Sequence, residues 1–332
     1  MEILSLFCGC GGLDRGFEDA GFHTALAYDR RESGLNSWRT NRKNKKSKAL
    51  NRDISKLTIT QLDKDYGSEF LPRGVIGGPP CQGFSIANRF GSKDDARNQL
   101  VDKFFNIALR LHKRSELDFI LMENVPAIAG IRGGDILEKQ KKKLSGHFDV
   151  HEEVLDAQDY GVAQRRRRLF LVAISTKIKN SGIWSFPEKQ KEMKNVRDVI
   201  GSLPEPVFFN RSIEKGDIPF HPNHWCMTPK SPKFKSGELV EGYKDKRSFR
   251  TLSWDEPSYT ASYGNREVHV HPNGHRRLSV LEAMLIQGFK KNYKLSGTLS
   301  DQITQVSEAL PPPLAFAVSL KLRHHLLTAT GS

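Results

Sequence analysis

The stretch Ile3-Leu4-Ser5-Leu6-Phe7-Cys8-Gly9-Cys10-Gly11-Gly12 joins an apolar run of strand length to a glycine-rich turn. Beyond it, Leu13, Phe17 and Ala20 recur at helical spacing until Gly21 stops them, and His23 to Tyr28 forms a second apolar run that delivers Asp29 at its end. Strand, glycine turn, helix, strand and acid is the opening of a doubly wound α/β sheet. Glycines let a backbone approach a nucleoside closely, a helix N-terminus adds a positive field, and a carboxylate at the second strand's end can accept both ribose hydroxyls. A nicotinamide dinucleotide site uses the same parts. Its fingerprint wants a third glycine at position 14, where this chain has Asp14, a charged side chain at the point of close helix-to-strand packing.

Further along, Val75-Ile76 runs into Gly77-Gly78-Pro79-Pro80-Cys81-Gln82-Gly83-Phe84-Ser85, an abrupt backbone path that presents one thiol. Alone, this is equally a Gly/Pro turn with an incidental cysteine. Phe84 to Asn98 lacks apolar periodicity and reads as a loop hinged by small residues, of the kind that closes over a substrate. Leu100, Phe104, Ala108 and Leu111 mark a helix, and Phe119 to Met122 a buried strand ending in Glu123-Asn124-Val125. If these strands are parallel, Gly9, Asp29, Cys81 and Glu123 share one rim, where open sheets gather their ligands. Asp135 to Leu144 is a helix with lysines on its solvent side, and strands follow at His151 to Leu155 and Arg168 to Ile174. Between them, Arg165 to Arg168 run consecutively; in an extended segment Arg166 and Arg168 face one way and Arg165 and Arg167 the other. An earlier basic cluster, Arg39 to Lys48, is open between a solvated loop and a phosphate contact.

With 332 residues, 37% hydrophobic and 27% charged, the chain can bury a core divided between two lobes. It contains no apolar run of membrane-spanning length, so a cytoplasmic protein is expected. The formal net charge of +14 suits a polyanion, nucleic acid first, better than a small neutral metabolite. The four cysteines, Cys8, Cys10, Cys81 and Cys226, form neither a disulfide framework nor a zinc pattern, and no metal is expected.

Taken together, Phe7-x-Gly9-x-Gly11-Gly12, Gly78-Pro79-Pro80-Cys81-Gln82-Gly83-Phe84-Ser85, Glu123-Asn124-Val125, Gln164-x-Arg166-x-Arg168 and Arg277-Leu278-Ser279-x-x-Glu282 with Gln287-Gly288-Phe289 resemble, in order, the motifs of the DNA (cytosine-5) methyltransferases of bacterial and phage restriction-modification systems. The resemblance runs from Ile3 to about Leu322. It implies a Rossmann-like S-adenosylmethionine-dependent methyltransferase domain with a smaller inserted target-recognition domain, at residues 1–186 plus 299–332 and 187–298 respectively. It implies Cys81 as nucleophile on cytosine C6, Glu123 at N3, Arg168 at O2 and Arg166 in support. Phe7, Gly9, Gly11, Gly12, Asp29, Asp53, Ile54, Pro80 and Leu100 would form the cofactor pocket, leaving S-adenosylhomocysteine as product. Gln82, Ser85, Arg97, Gln164, Arg250 and Tyr263 are assigned to DNA. The expected partner is double-stranded DNA, with a cognate restriction endonuclease acting separately. A monomer is expected, in the bacterial cytoplasm and on the nucleoid when bound.

From about Pro187 to His275 the chain is rich in proline, aromatics and basic residues without a helical period, which suits a lobe gripping DNA. The last motif departs from the family: Gln305-Val306-Ser307-Glu308-Ala309-Leu310-Pro311 stands where the pattern has Gln-Val-Gly-Asn-Ala-Val-Pro. Glu308 either sets a like charge near the cofactor's carboxylate or points elsewhere. Leu314 to Leu326 is expected to return as a helix onto the first domain. Two alternatives stand beside the leading reading: methylation of structured RNA, and a DNA-binding homologue whose turnover the Ser307-Glu308 change has impaired.

Overall fold

In the computed structural model, which describes residues 1–42, 46–80, 98–130, 134–178, 183–213, 215–245, 248–260 and 268–330, the chain alternates strand and helix through its first half. The elements are β1 (Glu2–Leu6), α1 (Gly12–Asp19), β2 (His23–Asp29), α2 (Glu32–Thr40), β3 (Lys48–Asn51), α3 (Ile59–Tyr66), β4 (Gly74–Gly77), α4 (Asn98–Arg114), β5 (Phe119–Asn124), α5 (Gly134–Leu144), β6 (Phe148–Asp156) and β7 (Arg167–Ser175). The strands form one sheet in the order β3-β2-β1-β4-β5-β7-β6. β1 to β5 are mutually parallel, and β7 runs antiparallel to both of its neighbours. Strand order therefore turns back between β1 and β4, and ligands of such sheets bind beyond the carboxyl ends there. Because β7 is reversed, its entrance at Arg167 lies at the same rim as the exit of β5, with Asn124 opposite Leu169.

The central strands are apolar on both faces because helices cover both. Alternation along each strand sorts the side chains: Leu4, Ile120 and Leu171 join a core with Phe104 and Phe105 of α4, whereas Ile3, Leu121 and Phe170 join one with Phe17 of α1. The second core is completed by Leu314, Val318 and Leu322 of α9 (Pro312–Thr330), whose Ser319 hydroxyl donates to Gly16 O at 3.0 Å. The C-terminal helix thus returns to the N-terminal one, as its apolar pattern predicts.

Between β7 and α9 lie α6 (Val196–Ile200), the short strand pairs β8 (Val207–Phe208) with β9 (Trp225–Cys226) and β10 (Phe249–Thr251) with β11 (Val268–Val270), then α7 (Val280–Ile286) and α8 (Leu299–Glu308). Capping boxes start all three helices, at Asn195/Asp198, Ser279/Glu282 and Thr298/Asp301. The spacing Ser279-x-x-Glu282 is thereby explained as an N-cap. Its carboxylate is also gripped by Arg276, at 2.9 Å from each of two guanidinium nitrogens, both side chains being buried.

Within the basic cluster from Arg39, the structure sets one residue apart. Its member Arg42 is not part of a solvated face: its side chain is buried, donates from Nε to Glu18 at 2.7 Å and lies 3.9 Å over the Trp38 ring, while Arg39, Lys46 and Lys48 are exposed. The reason is countercharge supplied from α1, where Glu18 and the wholly buried Asp14 face it. Asp14 in turn accepts a hydrogen bond from Trp38 Nε1 at 3.0 Å.

Three histidines of the later region, His221, His269 and His271, are buried and held down to about 4, first by burial, with Lys294, Arg250 and Arg276 adding repulsion. Because these groups bind protons more readily when unfolded, stability is lost as pH falls from about 6.5 through about 4. Each contributes a slope of about 1.4 kcal/mol per pH unit inside that window. Asp14, Glu18 and Glu123, pushed up by burial, act in the opposite sense, while His112, His151 and His325, also held below their ordinary values by burial, add to the loss. Urea midpoints measured from pH 7 to 5 are expected to fall steeply, and to fall less in the His269→Asn variant. A flat profile would remove this account.

Candidate active site

On the β1–β2 side, a glycine turn is pinned in place. Gly11 has φ +88°, and a Cβ there would meet Trp38 Cδ1 at 2.7 Å and Arg42 Nη1 at 2.8 Å, so only glycine fits. Tyr293 Oη donates to Cys10 O at 2.5 Å and Gly9 N–H to Asp29 Oδ2 at 3.0 Å. The other Asp29 oxygen accepts Arg31 N–H at 2.8 Å. Each oxygen keeps further acceptor capacity, so the carboxylate is oriented without being used up. Phe7, half-buried, sits at φ +61°, a strained conformation for an aromatic residue that costs about 1–3 kcal/mol and is held only where the surroundings impose it. Asp53 is exposed and caps the turn beginning at Ile54, accepting Ser55 N–H at 3.0 Å, while Ile54 itself is buried in the core beside α4. Leu100 lies half-buried in the first turn of α4, and Pro80 half-buried beyond β4.

At the neighbouring rim, Glu123 is the last residue but one of β5, with its side chain 14% exposed and its Oε1 3.0 Å from Arg168 Nε. Burial pushes its carboxyl up from the ordinary range, against the opposing pull of Arg168 and then Arg166. Arg166 is buried; its backbone N–H donates to Asp156 Oδ1 at 2.8 Å and its Nη2 to Ser307 O at 2.6 Å. Arg165 and Arg167 are exposed, so the alternation read along the arginine run holds. Asn124, to which sequence reasoning assigned no role, donates from Nδ2 to Pro79 O at 3.0 Å and thereby ties the end of β5 to the segment leading into Cys81. Nothing in its spacing marks that bond, which joins residues on neighbouring strands.

A Cβ on Gly78 would lie 2.9 Å from Glu123 Oε2. Gly78→Ala is therefore expected to displace the Glu123 carboxyl. We expect kcat to fall about tenfold or more, with the melting temperature little changed, since a misplacement of this size costs catalysis more than packing. Equal kcat in the two proteins would show that the close approach is unimportant.

Gln164 is completely buried, and neither atom of its amide has a hydrogen-bond partner among the described residues. The segment through Ser258 pairs with it along the backbone, Ser258 N–H donating to Ala163 O at 2.9 Å and Arg165 N–H to Ser258 O at 2.8 Å. Arg250 is half-buried, with its guanidinium 5.6 Å from the Tyr259 ring centre. Cys81, Gln82, Ser85, Arg97 and Tyr263 lie outside the described residues.

This rim therefore combines a nucleoside-type loop and acid with a buried carboxyl paired to arginine, an arrangement suited to handling a proton beside a bound heterocycle. The family model described as C-5 cytosine-specific DNA methylase matches residues 1–324. The chain is 30% identical to the type II methyltransferase M.FnuDI of Fusobacterium nucleatum, over 98% of this chain and 95% of that one. It is 32% identical to the type II methyltransferase M.MthTI of Methanothermobacter thermautotrophicus, over 98% of each. Among solved structures, an Escherichia coli prophage protein described as a DNA modification methyltransferase superposes with a TM-score of 0.82 at 23% identity, covering 98% of this chain and 99% of that one. The Dnmt2 methyltransferase of S. pombe superposes with a TM-score of 0.66 at 16% identity, covering 98% of both.

Proposed function

This chain belongs to the C-5 cytosine-specific DNA methylases of restriction-modification type, and from that membership we propose that it methylates C5 of a cytosine flipped out of a specific duplex DNA sequence, through a transient bond between Cys81 and C6. The observation that carries the proposal is the Glu123 carboxyl, only 14% exposed beside Arg168, one strand from the segment that leads into Cys81 and joined to it through Asn124 and Pro79.

S-adenosylmethionine, when bound, supplies an electrophilic methyl group on a sulfonium. The residues present fit it. A Cβ at Gly9 would meet no atom of the described residues within 4 Å, and the uncapped N-terminus of α1 and the oriented Asp29 carboxylate face a nucleoside's needs. Phe7, Asp53, Ile54, Pro80 and Leu100 complete that assignment.

Cytosine C5 is a weak nucleophile, so the chain's own groups must activate it. The Cys81 thiolate adds to C6, and the electron pair displaced towards N3 is met by a proton from Glu123, whose carboxyl burial pushes above the ordinary range. Arg168 holds Glu123 and the O2 edge, and Arg166 braces the same rim. After C5 is methylated, loss of its proton re-forms the C5–C6 double bond and expels Cys81. Extrusion of the base costs a few kcal/mol, which the +14 net charge helps to offset through phosphate contacts. We assign that grip to the loop after Cys81, with Gln82, Ser85 and Arg97, to Gln164 ahead of the two arginines, and to a recognition lobe at residues 187–298, with Arg250 and Tyr263. Residues 1–186 and 299–332 form the catalytic domain, in a monomeric protein of the bacterial cytoplasm. No helix among the described residues is long and apolar enough to cross a membrane. A companion endonuclease would act separately.

Impaired turnover loses the premise it rested on, because Glu308 is paired with Arg31, at 2.5 and 2.9 Å, instead of standing as an uncompensated charge. The test is to incubate the protein with labelled S-adenosylmethionine, mixed-sequence duplex DNA and a structured RNA competitor, then map modified cytosines by conversion sequencing. Label at cytosine C5 in one duplex sequence supports the reading; label on adenine, on cytosine N4 or in the RNA alone overturns it.

A further inference from the structure

Resting on the methyltransferase reading, we propose that Glu308 is a positioning residue for the cofactor site: its ion pair with Arg31 straps the end of α8 to the loop that orients Asp29. The bond is bidentate, Arg31 Nη1 to Oε2 at 2.5 Å and Nη2 to Oε1 at 2.9 Å, and it joins residues 277 positions apart. The two side chains are 39% and 49% exposed, so the pair contributes little to global stability and needs another reason to exist. Its placement supplies one. Arg31 N–H is one of the donors that fix the Asp29 carboxylate, the other being Gly9 N–H from the glycine turn. The residue before Glu308, Ser307, accepts from Arg166 Nη2 at 2.6 Å. Residues 307 and 308 therefore touch the cofactor loop on one side and the arginine rim on the other.

The helix itself argues in the same direction. Glu308 is the last residue of α8, where the helix dipole disfavours a carboxylate, and the sequence pattern that this chain otherwise follows has an amide there. An acid held against that field by a guanidinium is retained for the pairing. Arg31 opens the way into α2 with no side-chain cap of its own, so gripping its guanidinium restrains the turn in which its backbone N–H meets Asp29. Without the strap, Asp29 would still be present but less often in the orientation that accepts two vicinal hydroxyls.

The test uses the full chain and binding of S-adenosylhomocysteine, followed by calorimetry without DNA, so that turnover is not needed. Glu308→Gln is expected to weaken binding about fivefold, raising KM for S-adenosylmethionine similarly while kcat at saturation changes less than about twofold. The melting temperature should move little. The reversed pair, R31E with E308R, is expected to recover most of the affinity, because it restores the strap. Binding by E308Q or E308N that equals or exceeds that of the unaltered protein overturns the proposal, as does a reversed pair no better than E308Q. An unaltered protein that binds no S-adenosylhomocysteine at all would instead remove the methyltransferase reading, and the strap with it.

Discussion

Cys81→Ser is expected to abolish methyl transfer and, with it, a denaturant-stable complex with DNA carrying 5-fluorocytosine at the target site. On the proposed mechanism, addition of the thiolate to C6 and methylation at C5 leave fluorine where a proton would depart. Elimination then stops, and protein and DNA stay joined through carbon and sulfur. Serine is close in shape, but its hydroxyl is far less acidic and does not supply the nucleophile, so the rate loss is expected to be on the order of 10^3-fold or more. The readout is a shifted band on a denaturing gel, with binding of unmodified duplex measured alongside. If the serine protein still forms the adduct, another residue is the nucleophile and the mechanism fails. If neither protein forms it while both methylate, attack at C6 is not part of the reaction.

The second large effect belongs to Glu123. Glu123→Gln keeps size and a hydrogen-bonding oxygen for Arg168, whose Nε lies 3.0 Å from the native carboxylate, but removes the transferable proton. A loss of about 10^2 to 10^4 in kcat is expected for a general acid of this kind. The pH dependence separates a chemical role from a structural one. Burial raises the Glu123 pKa, so the protonated form persists to higher pH than an exposed glutamate allows, and activity requiring it falls as pH rises through that pKa. The thiol of Cys81 must be ionised and imposes the opposite limb. In E123Q the limb descending with pH should vanish while the Cys81 limb remains. Retention of both limbs in the variant would falsify the assignment.

Much of this architecture is legible in local pattern. The apolar runs from Ile3, His23, Val75 and Phe119 became parallel strands, because strands buried on both faces need uninterrupted apolar sequence. Asp29 and Glu123 fell at strand ends because the acid is where the apolar run stops. The direction of Arg166 and Arg168 followed from the two-residue repeat of an extended chain. The region between β7 and α8 was less legible, since its strands are two or three residues long and its order rests on buried contacts such as Arg276 with Glu282.

The motifs carried the chemistry, namely which groups are present and in what order along the chain, because nucleophile, acid and glycine turn are properties of residue type and short spacing. Folding determined their company. Asn124 reaches Pro79 O, Arg42 turns inward to Glu18, Ser258 pairs with Gln164 along the backbone, and Glu308 finds Arg31 at a separation of 277 residues. No periodicity encodes such contacts. They depend on which strand ends the sheet order places side by side and on where a charge, once desolvated, can find its opposite. That is why Glu308 reads as a misplaced charge along the chain and as half of an ion pair in the folded protein.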